Sequence, residues 1–76
     1  MPRPSLLDLF TELGAHPDDV ADAVGVHRTT VYAWLSGHQE PRTTRYRAIA
    51  EAIGATVREV SDALEETHRR ATAGKK

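Results

Sequence analysis

The chain has 76 residues, 39% of them hydrophobic and 28% charged, with a net charge of −1. That is one small globular domain near the lower size limit for folding on its own core, and it is neither a disordered segment nor a histone-like polycation. It contains no cysteine, which excludes a disulfide frame, thiolate chemistry and a Cys-based zinc site, and the apolar run in "MPRPSLLDLF" is too short for a signal peptide or a membrane span.

The predicted elements are all helical. Ser5 followed three residues later by Asp8 reads as a capping-box start, and Leu6, Leu9, Phe10 and Leu13 recur at helical spacing until Gly14. Pro17 suits the first turn of a second helix, whose positive end Asp18 and Asp19 complement. Val20, Ala21 and Val24 form its apolar face, and Gly25 ends it. A third helix runs from about His27 to Ser36 and stops at Gly37, with Val26, Val31, Trp34 and Leu35 on one side. "HQEPR" is a loop, because Pro41 disfavours helical geometry at Glu40.

Thr43 or Thr44 is expected to cap a fourth helix that turns Tyr46, Ile49, Ala50 and Ile53 inward and ends at Gly54. Thr56 and Glu59 form a second capping box, starting a fifth helix along Val57, Val60 and Leu64. From Thr67 to Lys76 no apolar periodicity remains, which predicts a domain over residues 1–66 and a basic, flexible tail over 67–76. The expected fold is therefore all-α, a compact bundle of five short helices.

Charge is distributed unevenly. Residues 1–26 hold one basic side chain against five acidic ones, whereas residues 27–47 hold four arginines (Arg28, Arg42, Arg45 and Arg47) against Glu40 alone. A basic patch of this kind suits a phosphate-contacting surface, although an ordinary solvated surface has the same composition. The outer side of the third helix, Arg28, Thr29, Tyr32, Ala33 and Ser36, is neither Glu/Lys surface filler nor an apolar stripe.

The stretch "DDVADAVGVHRTTVYAWLSGHQEP" resembles the Cro-like and lambda-repressor-like helix-turn-helix family of bacterial and phage regulators, through Ala21, Gly25, Val26, Val31, Trp34, Gly37 and Pro41. The later "AIAEAIGATVREV" resembles the family's fourth helix, glycine stop and fifth-helix start, so the resemblance covers roughly residues 5–65. It implies a third helix that enters the major groove of duplex DNA.

By the same resemblance Arg28, Thr29, Tyr32 and Ala33 would face base edges, and an Arg can grip guanine O6 and N7 together. A phosphate contact or simple solvation remains the alternative for Arg28, and packing at the domain edge for Tyr32. His27, Thr30, Ser36, His38, Gln39, Arg42, Thr43 and Thr44 match positions beside the DNA backbone, with His27 doubling as a helix cap and Thr30 pointing partly inward. Val57, Val60, Ser61 and Leu64 lie where the family often makes its dimer contact, though they can equally serve the monomer core.

Two positions depart from the family pattern. Pro17 stands where many members carry a Gln that touches DNA and braces the recognition helix, so such a contact would have to come from His16 or a backbone amide. Phe10 and Leu35 stand where many members carry an Arg–Glu pair, and an apolar replacement of a buried pair is often neutral or stabilising.

The four histidines have no i,i+3 or i,i+4 pairing, and no nucleophile elbow, phosphate loop or convergent carboxylates stand out, so neither an enzyme nor a metal or cofactor site is expected. The resemblance implies a sequence-specific transcriptional regulator in a bacterial cytoplasm, a phage Cro-type repressor that binds a pseudo-palindromic operator as a weak dimer strengthened on DNA. No membrane or small-molecule partner is expected. The alternatives are a helix-turn-helix protein acting through protein contacts, such as an antitoxin or phage regulatory partner, and a recombination directionality factor.

Overall fold

The computed structural model describes residues 3–73, which form five helices: α1 (Leu6–Leu13), α2 (Pro17–Val24), α3 (Arg28–Ser36), α4 (Thr43–Ile53) and α5 (Val57–Ala73). No strand occurs among the described residues. The helix starts are written locally. Ser5 and Asp8 exchange hydrogen bonds at the head of α1, and Thr56 and Glu59 do so at the head of α5. Pro17 occupies the first turn of α2, and Gly14, Gly25, Gly37 and Gly54 end the first four helices in the left-handed conformation.

A single core collects Leu6, Leu9 and Phe10 from α1, Val20 and Ala21 from α2, Val31 and Trp34 from α3, Ile49, Ala50 and Ile53 from α4, and Val60, Ala63 and Leu64 from α5. Leu35 packs against this core and Phe10 lies within it. Leu13, which shares the helical spacing of Leu6, Leu9 and Phe10, is 41% exposed at the end of α1.

Three expectations are corrected. The fifth helix does not fade at Thr67 but continues to Ala73, so a boundary between residues 66 and 67 falls inside a packed helix. The reason is polar rather than apolar. Thr67 is buried, its Oγ1 accepts the Leu6 amide at 2.7 Å, and its hydroxyl donates to the Ala63 carbonyl at 2.9 Å. Buried Glu66 holds Arg70 at 2.8 Å and Arg69 at 3.3 Å, and Arg70 reaches Asp8 at 3.3 Å and the Arg3 carbonyl at 2.8 Å. These contacts tie the second half of α5 to the head of α1. The Ser5 amide, the Ser5 hydroxyl and Arg70 hold the Asp8 carboxyl below its ordinary value. Lys75 and Lys76, assigned to the same tail, lie outside the described residues.

The second correction concerns α4. Its N-cap is Arg42, which makes no side-chain cap, and Thr43 is already helical. The third concerns the residues matched to a dimer contact. Val60 is 0% and Leu64 3% exposed, so both are spent on the monomer core. Of the four, only Val57 is exposed and Ser61 partly so.

Candidate nucleic-acid interface

Helix α3 is fastened from behind. Val31 and Trp34 are buried, and Val26 and Leu35 pack against the core from either end. Arg28, Thr29, Tyr32 and Ser36 are exposed, while Thr30 and Ala33 are partly exposed. The side chains matched to base reading therefore share a solvent-facing surface that carries no carboxylate of its own.

Hydrogen bonding assigns polarity to this surface. At the head of α3, His27 Nδ1 accepts the Thr29 amide at 3.2 Å and lies 2.9 Å from Thr29 Oγ1. Since an amide can only donate, Nδ1 is bare, and the Thr29 hydroxyl proton is directed to it. Thr29 thus offers outward lone pairs, suited to an exocyclic amino group on a base. With Nδ1 accepting, the His27 ring presents Nε2–H as a donor suited to a phosphate oxygen. The ring of His16 is arranged alike, with Nδ1 accepting the Asp18 amide at 3.2 Å, which leaves a donor beside Pro17.

At the other end of α3, the Ser36 hydroxyl donates to the Ala33 carbonyl at 3.1 Å, so the 2.7 Å contact with His38 is donated by the ring's Nδ1–H. The amides of His38 and Gln39 both donate to the same Ala33 carbonyl, which folds the loop back against α3.

Next to this loop, an open groove of about 700 Å³ between α3 and the head of α4 is lined by Thr30, Gln39, Arg42, Thr44 and Arg45, with Glu40 as its one carboxylate. Side chains cap α1, α2, α3 and α5, namely Ser5, His16, His27 and Thr56, whereas α4 begins without one. The Arg45 amide turns back to the Arg42 carbonyl at 2.8 Å, but the amides of Thr43 and Thr44 are left for another acceptor, at the positive end of the helix dipole. The ion pairs among the described residues tie Arg47 to Glu51 but leave Arg28, Arg42 and Arg45 without a carboxylate partner. An uncapped helix head with unpaired guanidinium groups is what a DNA phosphate needs.

Helical spacing was enough to place Arg28, Thr29, Tyr32 and Ser36 on one exposed face, but it did not show the head of α4 without a side-chain cap. A threonine next to a Pro-containing loop signals a cap, and only the backbone geometry shows that Arg42 takes that position instead.

A rigid outward helix, braced by a second across a glycine turn and flanked by unpaired arginines, has the form of a helix-turn-helix DNA-binding domain. A helix-turn-helix family model matches residues 11–60, and the chain belongs to that family, of the Cro and C1 type. Neither the comparison with curated proteins nor that with solved structures gave a match. The chain is accordingly a DNA-binding helix-turn-helix regulator, of a family whose domains are generally non-enzymatic. Among the described residues no helix is long and apolar enough to cross a membrane, and no three His, Asp or Glu side chains are grouped to hold a metal ion.

Proposed function

We propose that the chain is a transcriptional repressor of the phage Cro type that occupies a pseudo-palindromic operator as a dimer. Arg28, Thr29, Tyr32 and Ala33 read base edges in each half-site. His27, Thr30, Ser36, His38, Gln39, Arg42, Thr43 and Thr44 fix the register on phosphates. Two copies of α3 then lie about 34–36 Å apart along the duplex.

The observation that carries this reading is the juxtaposition of the outward face of α3 with the uncapped head of α4 and unpaired Arg42 and Arg45. Val57 and Ser61 are the members of the α5 set still accessible to a second copy, so a small contact that gains strength on DNA suits the surface. No cofactor or inducer enters this scheme, and control is by abundance in a bacterial host. The rival reading, a partner protein seated on Val57 to Leu64, would use the same surface as the dimer, and the burial of Val60 and Leu64 limits both to a small contact.

Anisotropy titrations of labelled duplex DNA at several salt concentrations test the phosphate part of the proposal. Affinity should fall linearly with salt on logarithmic axes. Arg42→Ala should weaken all duplexes alike and reduce the slope by about one. Absence of duplex binding at low salt would remove this reading and move the protein-contact alternative ahead.

A further inference from the structure

Arg28 is placed against the ordinary electrostatics of its own helix. It is the first residue of α3, where the helix dipole is positive, and the first turn of α3 contains no acidic residue. The compensating charge lies on α2. A groove of about 280 Å³ between the two helices is lined by Asp18, Asp22, His27 and Arg28. The Asp18 Oδ1 atom is buried and has no hydrogen-bond partner. A buried carboxylate oxygen without a donor is costly, and such an atom in a folded chain calls for an explanation. The arginine lining that groove is Arg28, which is not within ion-pair distance of any carboxylate among the described residues.

We infer that Asp18 is a positioning residue for Arg28. It accepts one edge of the guanidinium as the chain docks and thereby aims the opposite edge at a guanine. The inference rests on the base-reading role proposed above. A planar guanidinium has donors on two edges, so one edge can engage a carboxylate while the other engages guanine O6 and N7. Held in this way, Arg28 loses less side-chain freedom on binding and discriminates more sharply. The brace also gives α2 a part in base reading that Pro17, lacking a donor, cannot supply.

Asp18 also sits in the first turn of α2, where any carboxylate complements the dipole, and Asp19 provides the control. It carries the same charge in the same turn, but it is exposed and does not line the groove.

The experiment uses a duplex selected from a random pool by the wild-type chain, together with a version changed only at the base pair to which Arg28→Ala is indifferent. Asp18→Asn should lower the preference for the selected base at that pair by about three- to tenfold, while Asp19→Asn leaves it unchanged. Both variants should bind unselected DNA somewhat more tightly, since each removes one negative charge near phosphates. In an Arg28→Ala background Asp18→Asn should have no effect on the preference. Equal behaviour of the Asp18 and Asp19 variants would overturn the brace while leaving base reading intact. Failure of the wild-type chain to select any motif would instead remove the base-reading role, and the brace with it.

Discussion

Gly37→Ala is expected to destabilise the domain by about 2–5 kcal/mol, well beyond the effect of Gly25→Ala. Both glycines have a φ of +84°, so both substitutions incur the left-handed penalty of about 1–2 kcal/mol. Only Gly37 faces a neighbour. A Cβ there would lie 2.7 Å from Ala71 Cβ and 3.3 Å from the Thr67 carbonyl oxygen, whereas nothing lies within 4 Å at Gly25. Ala71 Cβ sits directly on the backbone of α5 and cannot swing aside, so the last turns of that helix must move. Overpacking of this kind adds about 1–3 kcal/mol. A domain of this size has only about 4–11 kcal/mol in total, at the usual stability per residue. Urea unfolding of the two variants in parallel gives the comparison. Equal losses at Gly37 and Gly25 would mean that α5 does not press on the end of α3.

The second large effect concerns binding. Arg28→Ala should weaken the selected duplex by about 10- to 100-fold, the range expected for a bidentate guanine contact. Non-specific binding should fall only by the few-fold that one lost cation causes. The asymmetry separates base reading from phosphate attraction. If titrations at one salt concentration showed the same factor for selected and unselected DNA, Arg28 would be a phosphate contact. In that case Thr29, Tyr32 and Ala33 would have to supply the sequence preference alone.

Much of the fold was legible because its signals are local. The Ser5 and Thr56 capping boxes, Pro17 and the four helix-ending glycines act within one turn of the residues they control. The last two turns of α5 were not legible, because Glu66, Thr67 and Arg70 look like solvated residues. Thr67 and Arg70 are held by partners more than sixty positions away, among them the Leu6 amide and Asp8, and Glu66 is held through Arg70. In the same way Gly37 reads as a helix stop, and its second role depends on Ala71, which no spacing rule connects to it.

At the interface, helical spacing was enough to separate Arg28, Thr29 and Tyr32 from Val31 and Trp34. Spacing could not show the direction of the Thr29 hydroxyl, which depends on the ring of His27. Nor could it show that Asp18 and Asp22 share a groove with Arg28.

Selection of bound duplexes from a random pool, at about physiological salt, tests the central claim most directly. The account predicts enrichment of a two-fold symmetric motif, with half-site centres about 10–10.5 base pairs apart. Salt-sensitive retention of DNA with no enriched sequence would contradict it, reducing the outward face of α3 and its arginines to non-specific attraction.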